Sequence, residues 1–320
     1  MLMRGVFLDL ETYKPDERHP ALLKDTLEDW EFYDATPPEL VVERISGADV
    51  IVLNKIDITR EILESAKGLK LVVAGATGVD NIDVSAARAL GIPVCNVRGY
   101  STESVAQQAF SLILALSNNL ILYHNLVQSG GWEKASGFNL LEYPLSELAG
   151  KTLGIVGYGD IAKAVERIGR AFGMEVLIAD RKGASELREG RVSFEQVLEN
   201  ADVLSIHCPL SVHTRGLIGA AELAAMKGSA ILINVSRGGI VDEQALVDAL
   251  RSGEIAGAGL DVLSQEPPKD GNPLLGATLP NLIITPHCAW ASVEARLRMF
   301  EQIAAIIEAF KGGAPMNLVT

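Results

Sequence analysis

The sequence is poor in several features that would mark particular classes of protein. It has only three cysteines among 320 residues and no C-x-x-C pair, so we expect neither a disulfide framework nor a metal site. Lysine and arginine number 28 against 41 aspartates and glutamates, which gives a net charge of −13. No basic run or aromatic-rich basic patch occurs. Nucleic acid and anionic membranes are therefore not expected as partners.

Long apolar runs are also absent. The opening residues, MLMRGVFLDLETYK, reach acidic side chains too soon for a signal peptide, and no later apolar run has membrane-spanning length. With 48% hydrophobic and 22% charged residues, the composition is that of a globular protein with room for two cores. The few cysteines fit a reducing compartment, and we expect a cytoplasmic protein.

Short β-branched runs alternate with stretches of helical periodicity. In the first hundred residues the runs are GVFLDL, DVIVLN, LKLVVAGA and IPVCNV. After Gly150 they are KTLGIVG, MEVLIAD, ADVLSIHC, SAILINVS, IAGAGLDVL and NLIITPH. This alternation is typical of βαβ units and predicts an α/β fold with two doubly wound parallel sheets.

Two helical segments lie outside this alternation. A long apolar helix is expected from about Ser104, which has capping-box spacing to Gln107. It is too apolar to face solvent, so we expect it to help form a homodimer. The tail over 291–311 also has helical periodicity but is too short for a domain, so it must pack on another one.

A glycine motif in the second series predicts a dinucleotide site. Gly157, Gly159 and Ala162 have G-x-G-x-x-A spacing between a strand and a helix, where the helix N-terminus can bind a pyrophosphate. The next strand ends at Asp180, where a carboxylate can accept hydrogen bonds from a ribose diol. The alternative is a tight turn that uses glycine only for packing.

Asp180 also bears on the choice of cofactor. A carboxylate there repels a 2′-phosphate, which favours NAD over NADP. Arg181 and Lys182 follow directly and could partly tolerate the phosphorylated cofactor, or they could be solvated loop charges.

Three titratable side chains follow apolar strands of the same half. Arg237 ends AILINVSRGG, Glu266 follows GAGLDVLSQEPP, and His287 ends NLIITPHCAW. Reduction of a carbonyl needs a cation to hold the substrate and an acid to protonate the nascent alkoxide. We expect Arg237 and His287 in these roles, with Glu266 fixing the histidine tautomer and stabilising its protonated form.

Each of these residues also has a structural alternative. His287 could be a core histidine bonded to backbone, Arg237 could pair with Asp242, and Glu266 could lie in an exposed turn. His207, in SIHCPL, lies near the expected cofactor, but a structural role is favoured for it.

At these motifs the chain resembles the D-isomer-specific 2-hydroxyacid dehydrogenase family. GIVGYGDIA, INVSRGGIVDE, GAGLDVLSQEPP and NLIITPHCAWAS match family motifs in order, and LVVAGATGVDNID matches the substrate loop. VCNVRGYSTESV and HCAWAS are most similar to its glycerate dehydrogenase, or hydroxypyruvate reductase, branch. The chain departs from the family at SVAQQAF, where many members have Ala-Glu-His, and at Ala162, which replaces a glycine.

The resemblance implies a division of the chain and a set of site residues. Residues 1–100 with 291–320 would form a flavodoxin-like substrate-binding domain and 101–290 a Rossmann NAD-binding domain, with the active site in the cleft between them. The catalytic set would be Arg237, Glu266 and His287. The residues expected at the cofactor are Gly157, Gly159, Asp160, Ile161, Asp180, Cys208, Pro209 and Asp261, the last holding the nicotinamide carboxamide.

The substrate contacts are assigned in the same way. Backbone N–H groups of Ala76, Thr77 and Gly78 would hold the substrate carboxylate together with Arg237. Trp290 would line the substrate pocket, or it could be only a hydrophobic staple between domains.

The expected function is NADH-dependent reduction of a small 2-keto acid to the D-2-hydroxy acid, with hydroxypyruvate and D-glycerate favoured. A broad glyoxylate or 2-keto acid reductase is the alternative within enzymes. An NADH-sensing binding protein on the same fold is the alternative from another class.

Overall fold

The computed structural model describes residues 3–320, which divide into two compact units. The first unit runs to Ser101 and includes Ala291–Thr320, and the second unit is Thr102–Trp290. Each unit is built around one parallel sheet, so the predicted α/β fold class is confirmed.

The first unit contains a five-stranded sheet. Its strands are β1 Arg4–Phe7, β2 Asp29–Phe32, β3 Val50–Leu53, β4 Leu71–Ala74 and β5 Val94–Asn96. Its first helices are α1 Arg18–Lys24, α2 Val41–Ile45, α3 Arg60–Ser65 and α4 Val84–Ala89, with 3₁₀ turns at Leu10–Tyr13 and Pro38–Leu40. The strand order is β2-β1-β3-β4-β5 and every pair is parallel, as in flavodoxin-like sheets.

The central strands of this sheet are completely buried, which explains their apolar sequences. All residues of β3 (VIVL) and β4 (LVVA) are buried, as expected for strands covered by helices on both faces. The edge strand β2, DWEF, is partly exposed and was not predicted from the sequence. An acidic, half-exposed edge strand lacks the apolar run by which the other strands were found.

The second unit contains a six-stranded sheet. Its strands are β6 Thr152–Val156, β7 Glu175–Ile178, β8 Val203–Ile206, β9 Ile231–Asn234, β10 Gly257–Leu260 and β11 Leu282–Ile284. Its helices are α5 Thr102–Ser117, α6 Leu120–Gln128, α7 Asp160–Ala171, α8 Phe194–Asn200, α9 Ala220–Ala225, α10 Glu243–Ser252 and α11 Pro273–Gly276. The order is β11-β10-β9-β8-β6-β7, again with parallel pairing.

The long apolar helix of the sequence analysis is two helices. α5 begins at Thr102 rather than at Ser104, and Asn119, in the left-handed conformation with φ 48°, separates it from α6. Within residues 3–320 no single helix is long and apolar enough to span a membrane, and only this pair, bent by 58°, has the combined length and composition.

The apolarity of α5 has a cause within its own unit. Val105, Ala109 and Ile113 are buried in the core that α5 shares with α7. This helix therefore gives no support to the expected homodimer.

The remaining helix, α12 Val293–Lys311, belongs to the first unit. Its Phe300 is fully buried and stacks on Phe7, with ring centroids 5.8 Å apart. The tail therefore completes the core beside β1.

Candidate active site

Glu266 and His287 form a direct side-chain pair in the second unit. His287 Nδ1 lies 2.5 Å from Glu266 Oε2, and the other carboxylate oxygen accepts a hydrogen bond from the Leu263 backbone N–H at 2.8 Å. Both side chains are partly exposed, at 25% for His287 and 32% for Glu266. A carboxylate on Nδ1 fixes the ring and leaves Nε2 as the nitrogen that can exchange a proton with a ligand.

The backbone of His287 is held on both sides. It has φ of 52°, in a region that few residues other than glycine adopt. Its N–H donates to the Asp261 carbonyl at 2.7 Å, and its carbonyl accepts the Trp290 indole N–H at 3.0 Å. These bonds fix the direction in which the ring leaves the chain.

Asp261 organises the same loop through its carboxylate. It is 1% exposed and accepts the Thr285 hydroxyl at 2.5 Å, the Cys288 N–H at 3.0 Å and the Ala289 N–H at 2.8 Å. The structure thus gives Asp261 a positioning role in the loop of His287. Its expected contact with the nicotinamide stays a prediction.

Arg237 follows β9 and is partly buried. Its Nη1 donates to the Ser236 carbonyl at 2.9 Å, and the Asn234 side chain donates to the Arg237 carbonyl at 2.9 Å. The carboxylate of Asp242, the alternative partner, caps α10 by accepting the N–H groups of Gln244 and Ala245.

The glycine motif lies between β6 and α7. Gly157 has φ of +85°, and a Cβ there would lie 2.6 Å from the Cys208 backbone nitrogen. A Cβ on Gly159, the N-cap of the twelve-residue α7, would meet nothing within 4 Å, so there is open space beside the backbone at this point. A helix N-terminus with open space beside it fits a pyrophosphate.

A cavity of about 560 Å³ adjoins this turn. Gly157, Asp180, Cys208 and Pro209, all predicted at the cofactor, line it. The predicted Asp160 and Ile161 form the first turn of α7. A volume of this size is ordinary for a ligand pocket.

Asp180 lies at the wall of the cavity and is paired with Arg188. The Arg188 guanidinium reaches it at 2.6 Å, and this pairing holds the pKa of the carboxyl well below its usual range. Arg181 and Lys182 were predicted near this carboxylate, but Arg188 was not. The signal available was the repeated arginine in DRKGASELREGR, whose loop brings the eighth residue after Asp180 back to it.

The loop after β4 contains the predicted substrate contacts in the first unit. The Thr77 hydroxyl donates to the Val97 carbonyl at 3.0 Å, and the Asn96 side chain donates to the Thr77 carbonyl at 2.7 Å. The Ala76 carbonyl accepts the Val97 N–H at 3.2 Å. Gly78, the last of the three predicted contacts, is partly exposed. The loop is therefore fixed to the end of β5.

His207 has the structural surroundings expected for it. Its Nε2 lies 2.8 Å from the Ser205 hydroxyl, and burial lowers its pKa to about 4, so the ring is neutral at pH 7.

Among residues 3–320 no group of three or more His, Cys, Asp or Glu side chains could hold a metal ion.

Comparison with known proteins agrees with this geometry. A family model described as "D-isomer specific 2-hydroxyacid dehydrogenase, NAD binding domain" matches residues 110–289. A protein of Methylorubrum extorquens named glycerate dehydrogenase is 42% identical over 100% of this chain and 99% of its own length.

Two solved structures are similar over their full length. The TT0316 protein of Thermus thermophilus superposes with a TM-score of 0.87 at 37% identity, covering 99% of this chain and 100% of that one. An NADPH-dependent glyoxylate/hydroxypyruvate reductase of Sinorhizobium meliloti gives 0.84 at 31% identity, covering 99% and 98%.

A parallel sheet that ends in a glycine turn on one strand and a carboxylate–histidine pair on others defines a class, the dinucleotide-dependent oxidoreductases. The matches over the whole chain narrow the class. The chain belongs to the D-isomer-specific 2-hydroxyacid dehydrogenase family.

Proposed function

We propose that the chain reduces a small 2-keto acid to the D-2-hydroxy acid with NADH, and that hydroxypyruvate is its best substrate. The observation that carries this proposal is the Glu266–His287 pair, which follows strands of the same sheet as the Gly157 turn. The Glu266–His287 pair supplies an acid, and the turn at Gly157 fits a dinucleotide.

His287 is the proton donor in this proposal. When bound, the nicotinamide supplies a hydride to the carbonyl carbon. His287 Nε2 gives its proton to the carbonyl oxygen, and the Glu266 carboxylate holds the ring in place through Nδ1. Arg237 polarises the carbonyl and holds the substrate carboxylate.

The remaining predicted residues bind and orient. The N–H groups of Ala76, Thr77 and Gly78 receive the substrate carboxylate, and Trp290 contributes to the substrate pocket. The dinucleotide lies on a longer set of groups: Gly157, Gly159, Asp160, Ile161, Asp180, Cys208, Pro209 and Asp261.

The choice of hydroxypyruvate rests on relatives and on polar chemistry. The Methylorubrum protein is named for glycerate and the Sinorhizobium enzyme for glyoxylate and hydroxypyruvate. Asn54, a polar residue beyond the end of β3, is 7% exposed and donates to the Thr12 hydroxyl at 3.0 Å. A site that bonds a substrate hydroxyl discriminates strongly against an analogue without it.

Steady-state kinetics on three acids test the proposal. We expect kcat/KM for hydroxypyruvate to exceed that for pyruvate by at least about tenfold, with glyoxylate between them and D-glycerate as the product. Equal kcat/KM for pyruvate and hydroxypyruvate would refute the substrate assignment, and so would L-glycerate as the product. Binding of NADH without turnover of any 2-keto acid would instead indicate a cofactor-sensing protein.

We further propose a homodimer that pairs through the segment 120–145 of the second unit. Large apolar side chains are exposed along it, with Phe138 at 88%, and such a patch commonly marks a protein interface. The members are Leu120, Ile121, Val127, Trp132, Phe138, Leu141 and Leu145. Sedimentation equilibrium should give the mass of two chains, and Phe138→Asp should shift it towards one.

We propose a cytoplasmic location because the cysteines form no disulfide. Cys95, Cys208 and Cys288 are all free thiols in the structure, as is usual in a reducing compartment. Fractionation of cells that express the chain tests this placement.

A further inference from the structure

The Asp180 carboxylate is already fully used by its own chain. Oδ1 accepts the Arg181 N–H at 2.7 Å and the Arg188 Nε and Nη2 at 3.0 and 2.6 Å. Oδ2 accepts the Arg188 N–H at 2.8 Å and shares its Nε at 3.2 Å. A carboxylate has about four lone-pair positions, so a ribose diol can bond here only by displacing a donor.

Arg188 is the donor that can leave. Its side chain is 56% exposed, whereas that of Asp180 is 3% exposed. The two backbone N–H groups are fixed by the turn, but the long exposed Arg188 side chain can rotate into solvent when ribose hydroxyls take its place as donors to the carboxylate. Ribose and the Arg188 guanidinium therefore compete for the same two oxygens.

The other cations around this cavity are differently engaged. Lys182 is paired with Glu222, with Nζ to Oε1 at 2.7 Å, and the Arg191 guanidinium lies 4.4 Å from the Tyr158 ring centroid. Arg181, Lys182, Arg188 and Arg191 line the cavity beside one acidic residue, Asp180. The wall that should repel a phosphate is thus positive overall.

We propose that Arg188 is the residue that sets cofactor selectivity and that it lets the chain use NADPH as well as NADH. With NADH, Arg188 gives up Asp180 to the ribose hydroxyls. With NADPH, the guanidinium binds the 2′-phosphate, for which its planar fork is well suited, and shields it from the Asp180 carboxylate. This inference rests on the proposed function, because it requires a nicotinamide dinucleotide in this cavity.

Removal of the Arg188 charge should change the dissociation constants of the two cofactors in opposite directions. In Arg188→Gln the dissociation constant of NADPH should rise about tenfold, because a charge-assisted bond is lost. That of NADH should fall, since the competitor for Asp180 is gone. Titration of the protein's intrinsic fluorescence with each cofactor measures both constants without turnover.

Arg191→Gln is the matched control. It removes one positive charge from the same cavity, but its guanidinium lies over Tyr158 and not on Asp180. We expect it to change the NADPH to NADH ratio less than about threefold. A shift as large as that of Arg188→Gln would show that general charge selects the cofactor and would overturn the proposal.

A second variant tests the competition itself. In an Asp180→Asn background, Arg188→Gln should no longer alter NADH binding, because its target has lost its charge. If the parent binds NADH and the cofactor ratio is unmoved by Arg188→Gln, the inference is wrong while the proposed function stands. If the parent binds neither cofactor, the proposed function itself fails.

Discussion

Asp9 in the first unit and Asp180 in the second follow parallel strands, β1 and β7, and both are nearly buried. Asp9 accepts the backbone N–H groups of Asn54 and Lys55, at 2.9 and 2.6 Å, and burial raises its pKa. Asp180 also accepts two backbone N–H groups, but the Arg188 guanidinium beside it lowers its pKa. Burial dominates the pKa at Asp9, whereas hydrogen bonds from Arg188 and from the backbone dominate it at Asp180.

The same difference runs along the two carboxyl edges. In the first unit, polar side chains hold backbone: Asn81 donates to the carbonyls of Asn54 and Ile56, at 3.2 and 2.6 Å. In the second unit, two carboxylates at this edge also pair with partly exposed side chains, Asp180 with Arg188 and Glu266 with His287. Groups bonded to backbone shape a loop, whereas side-chain pairs at a partly open site can exchange a partner for a ligand or a proton.

The largest effect is expected from loss of the proton donor in the second unit. His287→Ala should lower kcat by at least about 10²-fold, because the proton donor is lost, while NADH still binds and Tm changes little. Its counterpart in the first unit, Thr36→Val, should lower Tm and leave kcat within about threefold, because the bond from the buried hydroxyl to the Leu8 carbonyl is lost. Kinetics and thermal unfolding of both variants measure this. Near-normal turnover in His287→Ala would remove the assigned role.

A smaller effect is expected at Glu266. Glu266→Gln keeps a hydrogen-bonding group beside His287 but not its charge, so kcat should fall by about tenfold. The exposed Glu254→Gln is the charge control. A kcat of Glu266→Gln within about twofold of the parent would show that Glu266 does not act through the histidine.

The buried strands and the order of the motifs could be predicted, because a strand covered on both faces is a continuous apolar run. β2 could not, since it is an acidic edge strand. The break after α5 was also missed. It depends on Asn119 adopting a left-handed conformation, which a single asparagine in an apolar stretch does not announce.

Site chemistry was predictable where residue type and strand end coincide. Glu266 and His287 were expected to share a hydrogen bond, and the structure has it. Arg188 was not found, because its contact with Asp180 depends on how the loop after β7 folds back. Asp261 was assigned only by resemblance, and the bonds of its carboxylate to the loop of His287 follow from tertiary structure.

The smallest effect sharpens the comparison of the two aspartates, since it measures only how stability changes with pH. The pKa of Asp180 is lowered on folding from its ordinary value of 3.8, so its contribution to stability is present above that pH and is lost as the pH falls. The pKa of Asp9 is raised, so its contribution is present below 3.8 and is lost as the pH rises through the folded-state value. Between about pH 3 and 7, the Tm of the parent relative to Asp180→Asn should therefore fall on acidification, and that relative to Asp9→Asn should rise. Asp25→Asn, which removes an exposed carboxylate, is the charge control. Two differences of the same sign would mean that Arg188 does not distinguish the two sites.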